Sequence, residues 1–326
     1  MNASTGEIFF TSGGTESNNL ALKSVIRDYG IKRIITSEIE HHCVLSSLED
    51  AAKTNQFETH FVKILENGHI DLDSLQELLA QEIEPTLVSL MHANNELGNI
   101  LEIEKVAEMC SQHNALFHSD SVQTVAHYRI DVQQLKVHFL TGSAHKFHGP
   151  KGSGFLYIDS DVKIKPMLHG GSQERNMRAG TENVYGIVGL GKAMELAYEN
   201  LEEHSRYILD IKQYMIEQLS ENIPGIDFNG DYRENSLYTV LNVSFPESFR
   251  SEVMAFNLDI AGIAASAGSA CTSGTDVGSH VMQVLNANPK RKAIRFSFSK
   301  FTTKQEIDIC VQKLKEMIQT PSAVEV

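Results

Sequence analysis

The stretch "TGSAHKFHGPKGSG", residues 141 to 154, places Lys146 directly behind His145, at the end of an apolar run and at the start of a glycine-rich turn. A lysine at a buried strand end is desolvated, which lowers its pKa and frees the amine as a nucleophile. Four other strand ends carry residues suited to chemistry. "EIFFTS" is followed by "GGTESNN", where Gly13 and Gly14 precede Thr15 and a helix. Such a turn lets backbone approach a ligand and offers free N–H groups to an anion. "ALFHS" is followed by Asp120 and, three residues on, Gln123, while "LMHA" is followed by Asn94, Asn95 and Glu96. His41 and His42 lie just past "RIITS". Each group taken singly is an ordinary turn or helix cap.

The elements that must position these residues follow from the hydrophobic pattern. Apolar runs at 7–11, 33–37, 86–92, 115–120, 137–143 and 154–158 alternate with helical patterns. Strands that are apolar throughout and separated by helices predict an α/β unit with a mostly parallel sheet. Ligands bind such sheets beyond the carboxyl ends of the strands, so the residues above are predicted to converge on one edge. A long helical pattern runs from Asn183 to Leu219 and contains "GLGKAM", which lacks the third glycine of a dinucleotide fingerprint. Beyond it, "YTVLNVSF", "RSEVMAFNL", "AIRFSFS" and "TTKQEIDICVQKLKEM" predict a smaller α/β unit. The expected division is 1–200 and 201–326.

Composition narrows the task. The 326 residues carry a formal net charge of −14, which argues against binding a nucleic-acid backbone. No apolar run approaches the roughly 18 residues of a membrane span, and the first residues do not read as a secretory signal. The four cysteines, Cys43, Cys110, Cys271 and Cys310, show no CxxC spacing, so reduced thiols and a cytoplasmic location are expected. Cys43, Cys110 and Cys310 fall in helical patterns and read as structural. His42, His92, His118 and His148 read as hydrogen-bonded core or turn residues. No histidine pair has a metal spacing such as HExxH, so no metal site is expected. An anion cradle, a strand-end carboxylate, amides, a histidine and a Schiff-base lysine together suit pyridoxal phosphate.

The motifs "FTSGGTESNNLAL", "EHHCVL", "MHANNELG", "HSDSVQ", "GSAHKFHGPKG", "MRAGTENV", "SAGSACTSG" and "IRFSFSKFTT" occur in the order found in the cysteine desulfurases. The chain resembles that family from about Glu7 to past Thr303, and most closely the branch serving iron–sulfur assembly. The resemblance implies a fold type I pyridoxal-phosphate transferase. Its large domain has helices on both faces of the sheet, and its small C-terminal α/β domain carries a mobile cysteine loop. It implies a homodimer that converts L-cysteine to L-alanine and passes sulfur through a persulfide to an iron–sulfur scaffold or another acceptor. Gly14, Thr15, Ser143, Ala144 and His145 are then expected around the phosphate, with Thr181 reaching the neighbouring subunit's phosphate. Asp120 is expected at the pyridine nitrogen, and Gln123 and Asn95 at the ring hydroxyl. His41 is expected on the ring face, assisting proton movement. Lys146 is expected to hold the cofactor and to act as acid and base at the substrate α-carbon. Arg295, with Asn95, is expected to bind the substrate carboxylate, a task suited to a bidentate fork.

Cys271, in "SAGSACTSGTDVGSH", is expected to attack the substrate sulfur from a mobile loop and to meet an iron–sulfur cluster on a partner only transiently. The family also implies a segment before the first strand, with an Asp-x-x-Ala-Thr-Thr-type motif, that these residues do not include. Two alternatives stay open at this point: another class V enzyme such as an aminotransferase, with Cys271 incidental, or a non-catalytic copy acting as a dimer partner.

Overall fold

The computed structural model describes residues 1–81, 85–247, 254–267, 279–288 and 290–319. Cys271 lies outside the described residues. Two compact units are present, one of residues 1–64, 70–94 and 101–201, the other of 65–69, 95–100 and 202–326.

The first unit alternates strands and helices in the order β1 (Ile8–Thr11), α1 (Gly14–Tyr29), β2 (Arg33–Thr36), α2 (His42–Ala52), β3 (Glu58–Phe61) and α3 (Leu72–Leu79). It continues with β4 (Thr86–Ser89), α4 (Ile103–Gln112), β5 (Leu116–Asp120), α5 (Val132–Leu135), β6 (Phe139–Ser143), β7 (Gly154–Ile158) and α6 (Val184–Glu199). The seven strands form one sheet in the order β1-β7-β6-β5-β4-β2-β3. The pairings from β6 through β5, β4 and β2 to β3 are parallel, while β7 runs antiparallel to both β6 and β1. Two reversals leave β1 running in the same direction as β6, so its carboxyl end reaches the same edge as those of β2, β4, β5 and β6.

Side chains alternate across a strand, and here both faces are covered. Ile34, Leu87, Phe139 and Leu156 face a core built with Leu20, Leu22, Val25 and Ile26 of α1 and Val44 and Leu48 of α2. Their chain neighbours Ile35, Val88, Leu140, Phe155 and Tyr157 face the opposite core, with Leu75, Leu79, Ile103, Val106, Leu135 and Leu190. This is why the strands read as unbroken apolar runs and not as alternating ones.

Some details differ from the sequence reading. β3 is a sheet-edge strand of mostly exposed residues, Glu58, Thr59 and Phe61, so no apolar run marks it. The helical pattern from Asn183 to Leu219 is two helices, α6 and α7 (Leu201–Asn222), with Asn200 capping the first. The second unit then builds a four-stranded sheet, β10-β11-β9-β8. Its strands are β8 (Asp227–Asn229), β9 (Val240–Phe245), β10 (Ser266–Ala267) and β11 (Lys292–Ser297), and every pairing is antiparallel. Helices α8 (Met254–Ile260), α9 (His280–Val284) and α10 (Lys304–Gln319) complete it. Lys212 of α7 is buried, donating to Ser236 Oγ at 3.0 Å and the Leu237 carbonyl at 2.8 Å. Burial pushes this ammonium down to about 8.

The carboxyl edge depends on a backbone contact that only glycine allows. A Cβ on Gly154 of β7 would lie 2.6 Å from Gly13 Cα and 2.8 Å from the Gly142 carbonyl. Because both obstacles are backbone, relief requires moving the end of β1 and the adjoining part of β6. Gly154→Ala is expected to destabilise the protein by about 1–3 kcal/mol, read from urea unfolding.

Among the titratable groups that burial holds neutral in the first unit are His92, His118 and Glu40. Burial depresses His92 to about 4 and His118 to about 3, and raises the Glu40 carboxyl to about 8. Between pH 6.5 and 4 the unfolded chain takes up protons that folded His92 and His118 refuse, so these residues lower stability as the pH falls. Between pH 4.5 and 8 folded Glu40 keeps a proton that the unfolded chain releases, so its contribution is lost as the pH rises. Each group contributes a slope of up to about 1.4 kcal/mol per pH unit. Of these three groups, the two histidines outweigh the carboxyl below pH 6.5, and between 6.5 and 8 Glu40 is the one that titrates. Glu40→Gln is therefore expected to flatten a decline in stability between pH 6.5 and 8, read from chemical unfolding across pH.

Candidate active site

The site grows from the turn between β1 and α1. Gly13 has φ 152° and ψ −176°, a conformation suited to glycine, and caps α1 without any side-chain hydrogen bond. The Thr11 hydroxyl pins the turn, bonding Ser17 Oγ at 2.7 Å and the Gly13 carbonyl at 3.2 Å. Glu16 closes the outer side: it accepts from the Ser12 N–H at 2.8 Å and pairs with Arg178 at 2.8 Å. Burial raises its carboxyl, but the Arg178 and Ser12 bonds outweigh this and hold it below the usual range.

Gly14 is constrained by its neighbours. A Cβ there would meet Val122 Cγ2 at 2.8 Å and Ser143 Cβ at 3.8 Å, so the first turn of α1 sits against the ends of both β5 and β6. Ser143 ends β6 fully buried, with its Oγ 3.0 Å from His145 Nδ1. Burial, then the nearby Lys146 and Lys151, lower the His145 pKa and favour its neutral form. The first-turn N–H groups of α1, a serine hydroxyl and an imidazole form a polar set suited to a phosphate.

Asp120, at the end of β5, is buried and accepts from Asn18 Nδ2 at 2.7 Å and from the Val122 N–H at 3.1 Å. Asn18 also lies 3.1 Å from Cys43 Sγ, which is 3.0 Å from His41 Nδ1. His41 caps α2 by accepting from the Cys43 N–H at 3.1 Å. Burial, and then the Asp120 charge, push the Cys43 thiol up to about 12. Glu40 is wholly buried and accepts from the Met91 N–H and the Ser37 hydroxyl, both at 2.9 Å.

Packing and hydrogen bonds thus bring Gly14, Thr15, His41, Asp120, Ser143 and His145 together at the carboxyl edge of the first unit. Ala144 and Gln123 accompany Ser143 and Asp120 along the chain. Lys146 differs from expectation in its exposure. The 3-10 turn Ala144–Phe147 buries Ala144 and Phe147, and the two residues between them, His145 and Lys146, face outward. Thr181, also exposed, lines a cavity of about 100 Å³ with Thr11, Ser12, Gly152 and Arg178. Asn95 and Arg295 belong to the second unit, where Arg295 Nη1 donates to the Asn95 carbonyl at 2.8 Å and Nη2 reaches Ser266 Oγ at 3.4 Å.

Sequence reasoning missed Asn18 and Cys43. Asn18 lies one helical turn beyond Thr15, so both share a face of α1, and that spacing was readable. Cys43 reads from the sequence as structural, and the approach of α1 to α2 sets its thiol between Asn18 and His41. Among the described residues, no group of three or more His, Cys, Asp or Glu side chains could hold a metal ion. No described helix is long and apolar enough to cross a membrane.

A model of the aminotransferase class-V family matches residues 1–310. The chain is 40% identical over 323 residues to a cysteine desulfurase IscS of Dictyoglomus turgidum, covering 98% of this chain and 81% of the relative. A cysteine desulfurase IscS of Methanosarcina thermophila is 40% identical over 324 residues, covering 98% and 78%. Among solved structures, a NifS-like protein superposes with TM-score 0.87 at 36% identity, covering 97% of this chain and 83% of that one. A NifS-like protein from Rickettsia africae gives TM-score 0.84 at 29% identity, covering 96% and 82%. An α/β sheet with a phosphate-suited turn at its carboxyl edge, matched nearly end to end by these relatives, places the chain in the class V aminotransferases and, within them, among the pyridoxal-phosphate-dependent cysteine desulfurases.

Proposed function

We propose that the chain is a pyridoxal-phosphate-dependent cysteine desulfurase that converts L-cysteine to L-alanine and supplies the sulfur for iron–sulfur cluster assembly. The observation that carries this reading is the gathering of Gly14, Thr15, Asp120, Ser143 and His145 around one sheet edge, with Lys146 following directly. These residues fit the cofactor by their donor chemistry. The uncapped turn at Gly13 and Gly14, the Ser143 hydroxyl and His145 would hold its phosphate, and buried Asp120 would accept from the protonated ring nitrogen. Gln123 and Asn95 are assigned to the ring hydroxyl, and His41 to the ring face.

When bound, pyridoxal phosphate supplies an electrophilic carbon for amine exchange and a ring that stores the electron pair released at the substrate α-carbon. Lys146 would hold that carbon and release it to the substrate amine, and would then carry a proton from and back to the substrate. Arg295 is assigned to the substrate carboxylate, with its guanidinium plane steadied by the Asn95 carbonyl. The Cys271 thiolate forms an S–S bond with the substrate sulfur as the carbon–sulfur bond breaks. The electron pair left on the amino-acid side is protonated, alanine departs, and the Cys271 persulfide passes its outer sulfur to a scaffold protein or another acceptor.

A homodimer is part of this reading. Thr181 is assigned to the partner's phosphate, and close behind it α6 exposes Val184, Tyr185 and Val188, at 59%, 92% and 66%. Three adjoining apolar side chains on one helix suit a subunit interface. A cytoplasmic location accords with free thiols at Cys43, Cys110 and Cys310 among the described residues.

Borohydride reduction of the protein incubated with pyridoxal phosphate, followed by peptide mass mapping, is expected to find the cofactor on Lys146. Lys146→Ala is expected to lose that label and to slow alanine formation by at least about 100-fold. Cys271→Ala is expected to keep the label and the cofactor's visible absorption while losing persulfide formation and sulfide release. Unchanged sulfide release from that variant would favour an enzyme in which Cys271 is incidental.

A further inference from the structure

Asp120 terminates a chain of buried hydrogen bonds. Its Oδ2 accepts from Asn18 Nδ2 at 2.7 Å, Asn18 Oδ1 lies 3.0 Å from His118 Nε2, and His118 Nδ1 lies 2.9 Å from Ser89 Oγ. Asn18, His118 and Ser89 are all wholly buried. His118 and Asp120 are i and i+2 on β5 and so share a face, and Ser89 of β4 is the register partner of His118. Strand, neighbouring strand and helix each contribute one link.

The donors and acceptors can be ordered from the carboxylate outward. An ionised carboxylate only accepts, so Asn18 must turn its amide NH₂ toward Asp120. Asn18 Oδ1 then accepts, which places the His118 proton on Nε2. His118 Nδ1 accepts in turn, and the Ser89 hydroxyl donates. Rotating the Asn18 amide would set its oxygen against the carboxylate and would withdraw the N–H from Cys43 Sγ, 3.1 Å away. Every donor thus points toward one negative charge, and a buried chain of this kind polarises each successive bond.

We propose that Asn18, oriented by His118 and Ser89, is a positioning residue that sets the proton affinity of Asp120 and through it the charge of the cofactor ring. The proposal rests on the assignment of Asp120 to the ring nitrogen. A charge-assisted bond is about twice as strong as a neutral one, so losing the Asn18 donor makes the carboxylate more basic. The proton shared between Asp120 and the ring nitrogen then moves toward Asp120, and the ring stores electrons less well. The other titratable groups near this carboxylate are Glu40 and Cys43, with His41 bonded to Cys43; His92 donates its backbone N–H to the Asp120 backbone carbonyl, and its ring bonds Thr124.

The test uses the chain and its Asn18→Leu, Ser89→Ala, His118→Phe and His118→Gln variants, each loaded with pyridoxal phosphate. The visible absorption of the bound cofactor is titrated against pH, and circular dichroism checks folding. Asn18→Leu and His118→Phe are expected to raise the apparent pKa of the bound cofactor by about one unit, because a ring nitrogen without its proton no longer opposes protonation nearby. Ser89→Ala is expected to move it less, in the same direction. His118→Gln, whose amide NH₂ replaces the Nε2–H donor, is expected to restore the wild-type titration. Should Asn18→Leu or His118→Phe not fold, Ser89→Ala decides, since it removes a single hydroxyl at the far end. Wild-type titration in folded, cofactor-loaded variants overturns the relay and leaves the desulfurase reading intact. A wild-type chain that binds no pyridoxal phosphate overturns the site assignment, and the relay with it.

Discussion

The reversal of chain direction at β7 is the constraint on which the candidate site rests. A sheet built only of parallel strands would still bring Asp120 and Ser143 to one edge. The phosphate-suited turn, however, belongs to β1, which reaches that edge only because β7 runs antiparallel to both β1 and β6. The contact that allows this is backbone against backbone, Gly154 against Gly13. Once β1 is seated, the first turn of α1 is delivered against Val122 and Ser143, and the remaining polar residues of that turn follow. Thr11, Ser17, Glu16 and Arg178 then hold the turn by hydrogen bonds among themselves and to the Ser12 N–H.

Electrostatics in this region centre on the buried carboxylate of Asp120. Its neighbours are kept neutral by desolvation: His118 and His92 are pushed down, and Glu40 and Cys43 are pushed up. The interior therefore supplies oriented dipoles and few competing charges. A charge on a bound ring would meet one acceptor, already ordered by amide, imidazole and hydroxyl donors, with little reorganisation required. The stability cost of holding several titratable groups neutral falls on the same residues, which ties the pH range of the fold to the architecture of the site.

The second unit has a different logic. Its antiparallel sheet pairs Arg295 with Ser266, and the same arginine donates to the Asn95 carbonyl. Asn95 comes from a short segment, 95–100, that follows the end of β4 by only a few residues yet clusters with residues 202–326. The strand-end motif "ANNELG" is therefore divided, with Asn94 in one unit and Asn95 in the other.

The alternation of apolar runs with helical patterns was enough, by itself, to predict an α/β sheet, because strands covered on both faces cannot hide polar residues in their interior. The residue types at the strand ends, from Gly13 to Lys146, also carried the expectation of phosphate and Schiff-base chemistry, because sheets of this kind expose their carboxyl ends to ligands. β3 escaped notice because an edge strand is under no such apolar demand. What only the tertiary structure decided are relations between elements distant in sequence. Periodicity reports which face of an element is buried, and it does not report what lies opposite. Hence the outward turn of Lys146, forced by the burial of Ala144 and Phe147, was not legible. Nor was the approach of Cys43 to Asn18, nor the join of Ser89, His118 and Asn18 behind Asp120, since each link comes from a different element and is made only when the sheet and α1 are packed.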